Sequence, residues 1–385
     1  MFILKLLFRN ALRHKLRTFL TLLGITIAIL AFGLLRTFIH AWYGGVEASS
    51  ATRLVTRSSI SLIFHLPLSY REKIRQIDGV KAVSWGNWFG GIYKDEKHFF
   101  ANFGVDAKSY LELYPEYILT PEEERAFLRD RKGFIAGRKL AERFGWKIGD
   151  IVTLRGTIYP GEWDFVLRGI YRGRDETIDE TQFFFHWDYL NEVLRKRGSS
   201  LADTVGWYMV GVSRAERAAE VALAIDQTFK NSLAETLTET EKAFQLSFIA
   251  MSEAILIAIE LVSFIVIAII MAVVANTMSM TYRERIGEYA IFKTLGYPSW
   301  RIAGMILGES ILITTTGGLF GVFLTFPVAQ RVGKILSTYF PVFNVPEGAI
   351  YLQILACLVV GVLSALVPTY RAVTIRIADG LRRIG

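Results

Sequence analysis

Four apolar runs of membrane-spanning length constrain the fold of this 385-residue chain more than any other feature. A helix needs about 20 apolar residues to cross the hydrocarbon core of a bilayer. The runs occupy residues 18–40, 247–276, 302–326 and 349–368. Backbone polar groups in lipid must be hydrogen-bonded within their own segment, so each run is expected to be a helix. The sequence therefore predicts an α-helical membrane protein with four transmembrane helices.

The long segment between the first two runs, residues 41–246, has the pattern of a globular domain. The apolar, β-branched and aromatic run WYMVGV predicts a strand at 207–212, and a hydroxyl, a proline and three acids at 120–124 predict the start of a helix. Ser213 and Glu216 have the spacing of a capping box that would begin another helix. We expect a large α+β extracytoplasmic domain here, with residues 115–190 as a candidate inserted subdomain.

Positive charge is concentrated around the apolar runs. Residues 41–246 hold 28 Lys and Arg against 29 Asp and Glu, whereas the rest of the chain holds 16 against 7. This positive-inside bias predicts that the large segment and loop 327–348 face outward. The cytoplasmic parts are then residues 1–17, 277–301 and 369–385, so both termini are inside. Because the excess charge flanks membrane segments, we expect contact with membrane lipids and no binding of nucleic acid.

The second run is longer than one crossing requires and carries Glu253 and Glu260 in its first half. Two explanations stay open at this point. Carboxylates within lipid would indicate proton coupling, whereas a helix that projects above the outer surface would leave both groups near water. The sequence favours the second explanation, a stalk continuous with the second transmembrane helix.

The segment between the second and third runs combines dense charge with apolar residues at helical spacing. Such charge does not enter hydrocarbon, and the glycine and proline within residues 296–298 end a helix. We predict a short amphipathic helix against the cytoplasmic face, with an ordinary polar loop as the alternative. The residues that mark this segment are Arg283, Glu284, Arg285, Gly287, Glu288, Lys293 and Gly296.

The third run contains one carboxylate, Glu309, and a stripe of glycines. The glycines chosen as candidate contact residues are Gly317, Gly318 and Gly321. Small residues at this spacing let neighbouring helices approach closely. Helix packing is therefore the favoured role of this group, and a flexible gate is the alternative.

No residue pattern indicates catalysis. The sequence has no Walker A loop, no H-E-x-x-H and no G-x-S-x-G, and its five histidines are scattered. The chain has a single cysteine, Cys357, so an intrachain disulfide is excluded. This cysteine lies within the fourth run. Acids within residues 175–180 suit either a cation site or, as the favoured interpretation, a solvated turn. We therefore expect no catalytic residue, no metal site and no cofactor.

Three blocks of sequence resemble the FtsX-like permeases of ABC transporters, a family that includes the MacB-type exporters and the lipoprotein-releasing Lol permeases. The first is RNALRHKLRT at residues 9–18 with the apolar residues that follow, the second lies within residues 276–296, and the third joins VPTYRA to DGLR within residues 367–382. The membrane portion is covered throughout. The outer segment matches in placement, in size and in a short pattern at residues 137–150.

The resemblance implies that residues 281–296 are a coupling helix seated in a separate ABC ATPase, with the seven marked residues at the contact. It also implies a non-catalytic chain of the bacterial inner membrane that pairs with a second permease subunit, identical or different. ATP would be bound by the partner, and its hydrolysis would move the outer domain without passing substrate through the bilayer. MacB-type relatives add a periplasmic adaptor and an outer-membrane channel as further partners.

Three hypotheses for the function belong to different classes. The favoured one is the membrane subunit of an ABC exporter. The alternative is an FtsX-like regulator that transmits ATPase motion to an extracellular partner such as a cell-wall hydrolase. The long outer segment favours the exporter, since division-type relatives resemble shorter chains. The third, a membrane sensor independent of ATP, predicts no stable binding of an ATPase.

Overall fold

The fold is described from a computed structural model that covers residues 13–47, 49–250, 252–336, 340 and 342–375. The chain divides into two compact units. One is helical and takes the described residues of Met1–Ala41, Glu253–Ile335 and Phe343–Gly385. The other takes those of Trp42–Ser252 and Leu336–Val342 and contains the strands.

The described residues form thirteen α-helices. They are α1 Lys15–Trp42, α2 Gly44–Glu47, α3 Tyr70–Arg75, α4 Ala107–Leu113, α5 Pro121–Arg129, α6 Arg138–Phe144, α7 Trp187–Lys196, α8 Ala218–Thr228, α9 Glu241–Ala250, α10 Glu253–Glu284, α11 Ile286–Thr294, α12 Ser299–Leu336 and α13 Glu347–Thr374. Among the described residues, four of them, α1, α10, α12 and α13, are long and apolar enough to cross a membrane. The prediction of four transmembrane helices is confirmed.

The four long helices pack through apolar side chains and through buried polar groups that bond to backbone. Ile29 of α1, Val274 of α10, Ile306 of α12 and Val360 of α13 are among the buried residues of one core. Gln353 of α13 is fully buried and donates from Nε2 to the Ile29 carbonyl at 2.8 Å. Helices in lipid associate through close packing and such hydrogen bonds, so these contacts hold the helical unit together.

The second unit is built on a large mixed sheet. The described strands are β1 Arg53–Ser58, β2 Leu66–Pro67, β3 Val80–Trp88, β4 Gly91–Ile92, β5 Asn102–Val105, β6 Tyr117–Ile118, β7 Gly133–Gly137, β8 Ile151–Gly156, β9 Gly161–Gly173, β10 Phe183–His186, β11 Thr204–Val205, β12 Trp207–Val212 and β13 Thr236–Thr240. Eleven of them form one sheet in the order β13-β1-β12-β3-β5-β10-β7-β9-β8-β4, with β6 paired to β9. The pairs β5–β10 and β7–β9 are parallel and the other pairs are antiparallel. The predicted α+β domain is confirmed.

The alternation of β10 divides its aromatic side chains between two cores. Phe183 and Phe185 face a cluster on one side of the sheet, and Phe184 faces a cluster on the other. Successive side chains of a strand point to opposite faces, so three adjacent phenylalanines serve both layers. β6 to β10 all come from residues 115–190, and these strands pair within the same sheet as the rest of the domain.

Local signals in the domain were partly predictive. Thr120 and Glu123 form the reciprocal capping box at the start of α5, and β12 has the predicted bounds. The capping box predicted at Ser213 is wrong: a 3-10 turn, Ala215–Arg217, comes first, and α8 begins only at Ala218 without a side-chain cap. The turn displaces the helix start, so Ser213 is too far from its first free backbone N–H groups.

The acidic run within residues 175–180 forms hydrogen-bonded turns. Asp179 accepts from the backbone N–H of Thr181 at 2.7 Å, and Asp175 accepts from that of Thr177 at 3.0 Å. Glu180 accepts from Arg138 at 2.9 Å. No group of three or more His, Cys, Asp or Glu suited to a metal ion occurs among the residues that the structure describes. The carboxylates of this run are engaged by the protein itself.

Candidate functional site at the junction of the second and third membrane helices

The chain turns between α10 and α12 through a short helix with a defined break at each end. α10 continues through Arg283 to Glu284. Arg285 then leaves the helical conformation and occupies the N-cap position of α11. α11 contains Gly287, Glu288 and Lys293 and ends before Gly296, whose φ is +80°. The segment predicted as one helix, 281–296, is therefore the end of α10 followed by α11.

A buried arginine joins this short helix to the third membrane helix. Arg285 donates from Nη1 to Glu309 of α12 at 3.0 Å and from Nε to Glu288 of α11 at 3.1 Å. The side chains of Arg285 and Glu309 are only 7% and 5% exposed. Glu288 also accepts from Arg13 at 2.5 Å. We call these four residues, Arg13, Arg285, Glu288 and Glu309, the junction network.

Two further contacts join the junction to the first and fourth membrane helices. Glu284 accepts from Arg17 of α1 at 2.9 Å. Lys293 donates from Nζ to the carbonyls of Val373 and Ile375, at 2.7 and 2.9 Å, where α13 ends. A cation at a helix carboxyl end satisfies carbonyls that have no partner within the helix. The short helix α11 and its first flanking residue are therefore bonded to α12, to the end of α13 and to the segment that precedes α1.

The environment of α11 shifts the pKa of both of its charged side chains, Glu288 and Lys293. Burial raises the pKa of the Glu288 carboxyl, but hydrogen bonds from Arg13 and Arg285 outweigh this effect and hold that pKa below its usual value. A depressed carboxyl pKa stabilises the fold at neutral pH, and this contribution is lost as the pH falls through the lowered pKa. Burial alone lowers the pKa of Lys293.

Large apolar side chains are exposed at the surface of the junction. Ile291, Leu295, Tyr297 and Trp300 are 44%, 70%, 44% and 70% exposed, and we call these four residues the junction patch. Sequence reasoning selected the charged residues of this segment instead, most of which bond internally. The sequence did contain a signal for this exposure, because Leu295, Tyr297 and Trp300 lie around the glycine and proline that end α11, outside its buried face.

The predicted glycines of α12 lie against two different helices. A Cβ added to Gly317 or Gly321 would meet Ile25 or Ile29 of α1 within 3.1 Å. One added to Gly318 would overlap the Sγ of Cys357 in α13. These positions allow close approach of backbones on two sides of α12. The gating alternative stays a prediction.

Gly318→Ala is expected to destabilise the helical unit by about 1–3 kcal/mol, the usual cost of overpacking a close contact. The matched control is Gly304→Ala in the same helix, where an added Cβ meets nothing within 4 Å. Thermal unfolding of the detergent-solubilised chain, followed by tryptophan fluorescence, measures both. Equal midpoints for the two variants would show that the contact with Cys357 does not constrain α12.

An ion pair that sequence reasoning missed joins α1 to α10. Arg36 donates from Nη1 to Glu260 at 3.0 Å, and its guanidinium carbon lies 4.9 Å from the ring centre of Phe264. One of the two carboxylates of the second run therefore has a cationic partner.

The helices around the junction also match a known protein family. Residues 260–377, which include α11, α12 and α13 together with most of α10, match the family model described as FtsX-like permease C-terminal. These residues form an FtsX-like permease domain. An uncharacterised ABC transporter permease of Methanocaldococcus jannaschii is 24% identical over 349 residues, which cover 84% of this chain and 83% of the relative. One of Bacillus subtilis is 32% identical over 110 residues, 28% of this chain and 26% of the relative.

Two solved structures are similar in fold to the part of the chain that contains the α+β domain. The extracellular domain of the noncanonic ABC-type transporter YknZ from Gram-positive bacteria gives a TM-score of 0.35 at 13% identity, covering 49% of this chain and all of that one. The periplasmic region of MacB from Actinobacillus actinomycetemcomitans gives 0.38 at 10% identity, covering 53% and 95%. The resemblance stated from the sequence is confirmed by the family model and the curated relatives: this membrane protein contains an FtsX-like permease C-terminal domain and is similar to ABC transporter permeases.

Proposed function

We propose that this permease is the non-catalytic membrane subunit of an ABC transporter and that a separate ATPase binds its junction patch. ATP hydrolysis by that partner moves α11, and the movement reaches the α+β domain, which exports or releases a substrate on the outer side of the inner membrane. The observation that carries the proposal is the junction patch itself. Exposed apolar side chains at the end of a short helix and in the turn that follows it suit insertion into a hydrophobic groove of a partner.

The contacts beneath the junction patch support transmission of force. Arg13, Glu309 and the carbonyl of Val373 tie α11 to the region of α1, to α12 and to α13 respectively. A displacement of α11 cannot occur without disturbing these bonds, so the neighbouring helices move with it. In this proposal four of the residues marked in the sequence, Glu284, Arg285, Glu288 and Lys293, act by holding the junction together. Arg283 is exposed and forms no ion pair among the described residues.

The remaining parts of the proposal follow from the same role. Both termini lie in the cytoplasm with the junction patch, where ATP is available to the partner. Two permease subunits assemble so that two ATPases can close on ATP between them. An adaptor protein and an outer-membrane channel are further partners of the outer domain. The chain itself binds no cofactor.

Leu295→Asp is expected to reduce recovery of the ATPase encoded beside this chain by at least about tenfold in detergent co-purification, because a buried unpaired carboxylate is costly at an interface. Leu233→Asp is the matched control, since Leu233 is likewise an exposed leucine but belongs to the α+β domain. We expect Leu233→Asp to co-purify normally, and elution of both variants from size exclusion at the wild-type volume checks that they fold.

The mass of the wild-type complex tests the assembly. Two permeases with two ATPases establish a homodimer, and two different permeases with two ATPases establish a heterodimer. Recovery of no ATPase from the wild-type chain would contradict the proposal and favour the ATP-independent sensor. Unchanged recovery with Leu295→Asp would show that the ATPase binds elsewhere.

A further inference from the structure

An open groove of about 720 Å³ lies within the α+β domain, between β6, the start of α5, the end of α6 and the last part of β9. Its floor is apolar and is formed by Ile118, Leu119, Ala141, Trp146 and Ile170. Ligand sites of known proteins are mostly apolar clefts of about 300–1,000 Å³ with a few polar groups that orient the ligand. The groove has the size and the lining of such a site.

The acidic groups that line the groove are engaged within the domain. Glu123 accepts from the backbone of Thr120 at 3.0 Å and from that of Ile170 at 3.1 Å. Glu142 pairs with Arg138 at 3.5 Å, and Arg138 also pairs with Glu180 at 2.9 Å. These carboxylates are therefore balanced by donors that the domain itself supplies.

The other two lining cations are not balanced in this way. Lys147 and Arg172 are exposed side chains on the lining, and no ion pair joins either one to a carboxylate among the residues that the structure describes. Arg172 lies two residues after Ile170 on β9, and Lys147 comes directly after Trp146. Each free cation thus stands close along the chain to a residue of the apolar floor.

We propose that this groove binds an amphiphilic anion, with its apolar body on Ile118, Leu119 and Ile170 and its anionic group against Lys147 and Arg172. An apolar body removes the floor from water, and a carboxylate or phosphate neutralises cations that the fold leaves unpaired. A neutral amphiphile would satisfy only the first requirement. This site goes beyond the proposed coupling to an ATPase and does not depend on it.

Photolabelling with decanoic acid that carries a diazirine on its chain tests the site in the full-length protein. The chain is placed in lipid nanodiscs without nucleotide or ATPase, and the labelled peptides are mapped by mass spectrometry. Mapping separates binding at the groove from partition into the bilayer. We expect adducts within residues 118–123, 138–147 and 170–172 that excess unlabelled decanoate removes. The matched diazirine-bearing decanol should label these segments much less.

Charge reversal in the groove supplies the second arm of the test. Lys147→Glu and Arg172→Glu are each expected to lower groove labelling by about tenfold, the effect of losing one charge-assisted contact. Arg155→Glu is the control, an exposed cation of β8 outside the lining. Adducts confined to the membrane helices, equal labelling by the acid and the alcohol, or equal labelling of all three variants would each overturn the proposal.

Discussion

Replacing Arg53 with methionine is expected to destabilise the α+β domain by about 3–5 kcal/mol, the usual result of removing one partner from a buried ion pair. Arg53 begins β1, and its side chain is 7% exposed. It donates from Nε to Glu241 at 2.8 Å and from Nη2 to Glu116 at 2.6 Å. Methionine keeps much of the volume but leaves two buried carboxylates without their cation.

The positions of Arg53, Glu116 and Glu241 in the domain explain why the loss of Arg53 should affect more than its own contacts. Arg53 stands at the first strand of the domain, and Glu241 begins α9, the last helix before α10. Tyr114 also donates to Glu241 at 3.0 Å. Arg53, Glu116 and Glu241 therefore fasten the first strand and the last helix of the domain to its interior. Hydrogen exchange should show faster opening of β1 and α9 in Arg53→Met than in the wild-type chain.

A matched control lies four residues away on the same strand. Arg57 pairs with Glu239 at 3.2 Å, but both side chains are more exposed, at 17% and 20%. Arg57→Met is expected to cost less than about 1 kcal/mol. The comparison uses chemical denaturation of the full chain followed by tryptophan fluorescence. Equal losses for Arg53→Met and Arg57→Met would contradict the assignment of Arg53 as a buried structural cation.

Arg285→Met is expected to destabilise the helical unit by about 3–5 kcal/mol, because Glu309 would remain buried in α12 without its cation. Glu309 bonds to Arg285 at 3.0 Å, whereas Glu288 would retain Arg13. Arg285→Lys should recover little, since an ammonium lacks the fork that reaches two carboxylates at once. Thermal unfolding in detergent measures these changes.

The double variant Arg285→Met, Glu309→Leu separates the ion pair from general damage at the junction. Replacing both partners of a buried pair by apolar residues is often neutral in stability, so we expect it to recover most of the loss. Arg13→Met is the control for the exposed end of the junction network, where the arginine side chain is 58% exposed. If the double variant were as unstable as Arg285→Met, the pair with Glu309 would not be the cause.

Elements governed by local rules were predictable from the sequence. The four membrane helices follow from the length and hydrogen-bond saturation that a bilayer requires. The start of α5 at Pro121 follows from a cap, and the strand β12 follows from a short run of apolar and aromatic residues. At Ser213 the same local reasoning failed, because an intervening 3-10 turn changed the distance to the helix.

The sequence alone determined which segments enter the membrane, where the folded domain is inserted and which short segment joins the second and third helices. Only the tertiary structure decided which charges at that junction are internal. Arg285 finds Glu309 one helix away, and Glu288 meets Arg13 from near the other end of the chain. The sequence shows which residues are charged but not which residues they pair with, because the pairing depends on how helices distant in sequence pack together. Packing likewise left Leu295 and Trp300 exposed, where a partner protein can reach them.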